Sequence, residues 1–243
     1  MTDGVWRTET GDGAVVVLVH GSMDRSTSFG RMVRHLGGSK VVRYDRRGYG
    51  RSLDLGPPRS IGQQADDLLE VIDGRRVRVF GHSLGGVVAL VAAERAPDLF
   101  DRLVAYEAPR SWLRWWPTDS AGGTALAEAA DVEQAAERFM VRMVGEEVWS
   151  RLGASTRAAR RAEGATLVAE LESLRPPNPP PYDDASLSCD VVSAYGSVTR
   201  ERHRRAASDL AAGVGGSVLR VVDGAGHGVH LSHPAEAAAL IVS

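Results

Sequence analysis

The amino-acid sequence predicts an α/β fold: a mostly parallel central sheet flanked by helices, with a helical segment inserted into the chain. Two observations carry this prediction. Short, β-branched apolar runs alternate with helix-length segments, and their continuous apolarity marks strands buried on both faces. The alternation then stops between Ser111 and Leu187, where the chain keeps a helical period and offers no convincing strand.

Taken in order, Ala14–Val19 (AVVVLV), Val41–Tyr44 (VVRY), Val77–Phe80 (VRVF) and Leu103–Tyr106 (LVAY) read as strands. Leu84–Arg95 has the length and composition of a helix, and Pro97 stops it. Trp112, Trp115 and Trp116 open the strandless stretch, Ala-rich helices follow, and Arg175–Tyr182 (RPPNPPPY) closes it as a stiff extended tract. A long insertion between two strands favours a cap lying over a strand end. Two more strands come late, Val191–Tyr195 and Val218–Val222. A helix is expected over Arg200–Ala212, and another from Pro234, a typical first-turn proline. The expected organisation is a core of residues 1–110 and 188–243 with a helical cap over 111–187. Reactive residues of such a sheet belong at the carboxyl ends of its strands.

Composition excludes several functions. The 243 residues carry 29 Lys+Arg against 31 Asp+Glu, a formal charge of −2. That balance gives no electrostatic basis for binding nucleic acid or an anionic membrane surface. Hydrophobic residues at 43% and charged residues at 25% fit a globular protein rather than a disordered one. Cys189 is the one cysteine, which excludes an intramolecular disulfide and argues against a cysteine-based metal cluster. No apolar run reaches the roughly 18 residues needed to span a bilayer. The expectation is a cytoplasmic protein acting on a small-molecule substrate, without nucleic acid or a membrane span. Homo-oligomerisation stays open.

The strongest local signal is Gly81-His82-Ser83-Leu84-Gly85-Gly86, a G-x-S-x-G match. It follows a strand directly and opens a helix, as a nucleophile elbow requires. The glycines remove side chains where the turn is sharp, leaving Ser83 exposed on a strained backbone. A serine hydroxyl needs a base, and His227 is the best candidate among seven histidines. It alone combines a loop, flanking glycines and a strand end, in Val222-Asp-Gly-Ala-Gly-His-Gly228. Two backbone N–H groups are wanted for an oxyanion. Leu84, just after the nucleophile, supplies one. Ser22, in the loop His20-Gly21-Ser22-Met23 after the first strand, supplies the other unless that loop is a plain turn.

LVHGS, YDRRGYGRS (Tyr44–Ser52), GHSLGG and DGAGHGVHLSHP (Asp223–Pro234) stand in the order and spacing of the α/β-hydrolase superfamily. The chain resembles its small, cofactor-free, cap-bearing members. The resemblance implies an α/β-hydrolase fold and a Ser–His–acid hydrolase, with Asp45 as a structural residue fixing its loop. It also exposes a departure. Most relatives carry Asp a few residues past the strand that follows the cap, and here that position is Thr199. Some relatives, certain haloalkane dehalogenases among them, place the acid one strand earlier. Glu107 stands there, at the end of Leu103–Tyr106. The order Ser83, Glu107, His227 keeps the family's nucleophile–acid–histidine sequence. Asp190 precedes its strand and Asp223 lies in the histidine loop, so both rank behind Glu107. Replacing Glu107 is expected to cut turnover strongly, and Thr199→Ala to change little.

The expected chemistry is double displacement at an ester-type bond of a small to medium, largely uncharged substrate, through an acyl-enzyme. Serine rather than aspartate at the elbow argues against dehalogenase or epoxide hydrolase chemistry. A thioesterase, lactonase, carbon–carbon bond hydrolase or perhydrolase would use the same triad. A non-catalytic ligand binder on this fold is the remaining alternative, with Thr199 as its support. No metal or organic cofactor is implied. Met23, Trp112, Trp115, Trp116, Phe139 and Met143 are candidates to line an apolar acyl pocket, and the tryptophans, Phe139 and Met143 would serve equally as the cap's own core.

Overall fold

The apolar runs assemble into a seven-stranded sheet in the computed structural model, which describes residues 4–242. The strands are β1 (Arg7–Thr10), β2 (Ala14–Val19), β3 (Ser39–Tyr44), β4 (Val77–His82), β5 (Phe100–Tyr106), β6 (Val191–Gly196) and β7 (Val218–Val222). Their spatial order is β1-β3-β2-β4-β5-β6-β7. Only β1 runs antiparallel, pairing Arg7 with Tyr44 at the sheet edge. This strand is polar and mostly exposed (RTET), so apolar runs give no sign of it.

Each of β2 to β6 feeds both faces, which explains its apolarity. β7 departs from the expectation, since at the sheet edge it leaves Leu219, Arg220 and Val221 exposed. In β2, Val17 and Val19 join one core cluster while Val16 and Leu18 join the other. The first face is covered by α2 (Ile61–Ile72) and α3 (Leu84–Arg95), with Leu210 of α9 (Glu201–Gly213) in the same cluster. The second is covered by α1 (Gly30–Val33), α10 (Val229–Ser232) and α11 (Pro234–Val242). α3 is apolar around its whole circumference and ten of its residues are buried, as a helix wedged between sheet and neighbours must be. α2 shows its own start signal: Ser60 Oγ accepts from the Gln63 amide at 3.2 Å.

Between β5 and β6 lie α4 (Ala121–Glu128), α5 (Val132–Val144), α6 (Glu146–Arg151), α7 (Ala154–Ala162) and α8 (Gly164–Ser173). Residues 107–190 contain no strand. A third apolar cluster joins these helices to the core, with Met23 and Tyr49 meeting Met140, Trp149 and Leu167. Glu163 and Glu170, both fully buried, reach from the helical segment into the core loops. Glu163 accepts from Arg25 Nη2 at 2.7 Å and the Gly50 amide at 2.9 Å. Glu170 accepts from Tyr49 Oη at 2.7 Å, Ser22 Oγ at 2.8 Å and Gln64 Nε2 at 2.8 Å, and pairs with Arg46.

Candidate active site

Ser83 sits on the turn between β4 and α3 with φ 53 and ψ −125, a left-handed backbone that L residues avoid. The flanking glycines explain how the turn closes. A Cβ on Gly85 would lie 2.3 Å from the Val19 carbonyl oxygen, and one on Gly81 would lie 2.5 Å from Gly86 Cα. The Ser83 amide is tied to the Tyr106 carbonyl of β5 at 2.8 Å, which holds the strained residue in place. Opposite runs the loop after β2. A Cβ on Gly21 would come within 3.0 Å of Ser83 Cβ, so this loop lies directly against the elbow. Ser22 and Leu84 both line the same cavity as Ser83 and His227.

Glu107 follows β5 and also has a left-handed backbone, with φ 48. Its amide donates to the Ala194 carbonyl of β6 at 2.8 Å. The side chain is wholly buried and all its bonds are made to one corner of the site. Oε1 accepts from the Gly196 amide at 3.0 Å. Oε2 accepts from Thr199 Oγ1 at 2.9 Å and from His227 Nδ1 at 2.7 Å. An imidazole held by a carboxylate at Nδ1 presents Nε2 as the nitrogen able to take a proton. Tyr106 Oη donates to the Gly226 carbonyl at 2.9 Å and His82 Nε2 to the His227 carbonyl at 2.7 Å, so the histidine loop is fixed at two points. Asp45 accepts from the amides of Ser26 at 2.8 Å and Arg51 at 3.0 Å, which staples two loops beside the site. Asp223 is exposed and accepts from Ser197 Oγ.

Residue patterning in the sequence assigns no site role to three groups near the site. His203, on α9, is buried with its ring centroid 4.8 Å from that of His227 and its Nδ1 4.0 Å from Glu107 Oε2. Burial, then the neighbouring His227, Arg202 and Arg200, holds it well below the usual histidine range. His82 is held low in the same way, by burial first and by His230 and His227 after it. Arg202 precedes His203 and faces the same cavity. The available signal was position: Arg202 and His203 open the helix after β6, at the carboxyl edge of the sheet. Donor atoms of Glu107, His203 and His227 cluster within 4.8 Å, as do those of Asp24, His82 and His230. Either set could reach a metal ion, though Glu107 and His227 already satisfy each other.

The cavity measures about 380 Å³, within the range of small-molecule sites. Trp116, Phe139 and Met143 line it, but Met23, Trp112 and Trp115 are not among its lining residues. Trp112 packs edge-on to Tyr182 at 5.6 Å in the core beneath the inserted helices. Met23 fills the third apolar cluster at the seam. Trp115 lies under the Arg205 guanidinium at 4.3 Å. In each case other neighbours take the side chain before the cavity can.

Residues 16–240 match the sequence profile of the alpha/beta hydrolase family. An uncharacterized protein of Mycobacterium tuberculosis is 37% identical over 102 residues, which is 40% of this chain and 30% of that relative. The chain therefore aligns with under a third of that relative's length. Among solved structures, an esterase from Exiguobacterium antarcticum superposes with a TM-score of 0.76 at 18% identity, covering 98% of this chain and 94% of the other. The enol-lactonase from Burkholderia xenovorans gives 0.72 at 17% identity, covering 98% and 95%. At these identities both likenesses speak for the fold.

Proposed function

This chain belongs to the alpha/beta hydrolase family, and on that premise we propose that it is a carboxylesterase-like serine hydrolase cleaving an ester-type bond. The observation that carries the proposal is the 2.7 Å hydrogen bond between His227 Nδ1 and Glu107 Oε2, in a site whose cavity Ser83 also lines. His227 takes the Ser83 proton as Oγ attacks the substrate carbonyl. The resulting oxyanion accepts from the Ser22 and Leu84 amides. Collapse expels the leaving group, which receives the proton from His227, and leaves an acyl-enzyme. Water, deprotonated by the same histidine, then releases the acid and restores Ser83. Glu107 holds the tautomer throughout and stabilises the imidazolium.

In this proposal residues 111–187 act as the cap, with Trp116, Phe139 and Met143 forming an apolar wall for a small to medium acyl chain. The setting is cytoplasmic and the partner a small molecule. A lactonase is the second choice, because a cyclic ester meets the same groups and an enol-lactonase shares the fold. A fluorophosphonate probe tests the serine mechanism directly. Labelling of the native protein, lost in Ser83→Ala, is expected. A folded protein that takes no label is a binder and not a serine hydrolase.

A further inference from the structure

The cavity wall is charged in a way that ester cleavage alone does not require. Arg114, Arg175 and Arg202 line it with His203 and His227, and among the described residues no aspartate or glutamate does. Arg114 and Arg175 are exposed at the rim, while Arg202 is half-buried in the first turn of α9. Its Nε is buried with no hydrogen-bond partner among the described residues. Burial and then the repulsion of Arg200 hold the guanidinium below its usual range, against the pull of Asp119 and Glu107. Glu107 cannot answer that charge by a direct bond, since its oxygens are committed to Gly196, Thr199 and His227.

A buried donor left unpaired is costly, and a guanidinium left partly desolvated more so. An entering oxyanion removes both costs at once, and the planar fork of arginine suits a carboxylate. The positive end of α9 acts in the same sense. Resting on the serine-hydrolase proposal, we infer that the substrate carries a carboxylate at the end remote from the scissile bond, bound by Arg202. Arg114 and Arg175 attract it from the rim. This differs from the largely uncharged substrate expected with an apolar acyl pocket, because the apolar candidates say nothing of where the arginines gather. Hydrolysis of such an ester leaves a second carboxylate beside this wall, so a short dicarboxylate product should compete with substrate.

Two 4-nitrophenyl esters of glutaric acid, one with its second carboxyl free and one with it methylated, differ only in this charge. The free acid should show a kcat/KM roughly tenfold or more above the methyl ester. High salt should shrink that ratio. Arg202→Gln should collapse the ratio, mainly through KM, while Arg202→Lys keeps part of it, and glutarate should inhibit the native protein competitively. Equal rates on both esters, or a ratio untouched by Arg202→Gln, would overturn the inference while leaving the hydrolase intact. No turnover of either ester together with no labelling of Ser83 would overturn both.

Discussion

Glu107 and Thr199 show how one residue's meaning depends on its neighbour. Read alone, Thr199 stands where an acid is missing; in the structure its hydroxyl donates to the acid on the adjoining strand. Glu107 keeps a left-handed backbone, which costs on the order of 1 kcal/mol, and Ser83 does the same one strand away. Strain at two consecutive strand ends persists because β5 and β6 hold both amides. In the proposed triad, Glu107→Gln should lower kcat by about 10³–10⁴-fold, the order expected when the amide imposes the wrong tautomer on the histidine. Thr199→Val removes one hydrogen bond to a charged group and should cost about tenfold in kcat. This exceeds the small effect expected from the sequence, because the bond to Glu107 is visible only once β5 and β6 are paired. Steady-state kinetics on one neutral ester, with thermal melts to confirm folding, decides both. Ser83 and His227 are legible from glycines and strand ends. His203 and Arg202 are not, since nothing in a helical sequence says which neighbours its first turn will face.

Strands and inserted helices differ in how openly they declare themselves. A parallel strand buried on both faces must be apolar along its buried length, so β2 can be bounded from sequence to the residue. β7 is apolar enough to be bounded too, although the sheet edge leaves Leu219 and Val221 exposed. The exposed edge strand β1 and the amphipathic α2 lack such runs and escape that scan. The inserted helices are legible as helices, yet their attachment is not. Glu163 and Glu170 look like the solvated charges of Ala-rich helices, but both are wholly buried. Glu170 gathers Arg46, Gln64, Tyr49 and Ser22, and Arg46 Nε in turn donates to the His20 carbonyl at 2.8 Å. The helical segment is thereby wired to the loop that carries the Ser22 amide. Glu170→Ala leaves Arg46 as an uncompensated buried charge and should cost about 3–5 kcal/mol of stability. Arg46→Met combined with Glu170→Met should cost less than that single change, since the orphaned charge is gone. Urea denaturation of the three proteins tests this. A loss in the double variant as large as that of Glu170→Ala, or larger, would mean that no orphaned charge is relieved and that the seam is held by its apolar cluster instead.

At the scale of the whole molecule, the region behind the site is dense in buried imidazole, and this sets how the fold answers to acid. His20, His82 and His203 are all buried. Burial, then the adjacent Arg46, pushes His20 down to about 3, and His82 and His203 are held well below the ordinary range by burial and by neighbouring histidines and, for His203, arginines. His20 shows why it stays neutral: Nε2 accepts from the Arg46 amide at 2.8 Å while Nδ1 donates to the Gly21 carbonyl at 2.8 Å. A proton on Nε2 would break the first of these bonds. In the unfolded chain the same histidines titrate near 6.5. Above that pH both states are neutral and the groups leave stability unchanged. Below it the unfolded state binds protons that the folded state refuses, so stability falls as pH drops from about 6.5 toward the folded values. Each such histidine contributes a slope approaching about 1.4 kcal/mol per pH unit, and three together approach about 4. Against a typical total of roughly 5–15 kcal/mol, about one to four units of acidification suffices to unfold the chain. Asp45 adds little in this window, because its hydrogen bonds to two amides hold it below its ordinary value and it titrates only at lower pH. Urea midpoints should therefore be level from about pH 8 to 7 and fall steeply below about 6. His203→Gln should flatten the slope by about a third, and a midpoint that stays level to pH 5 would mean that these imidazoles gain protons without unfolding the protein.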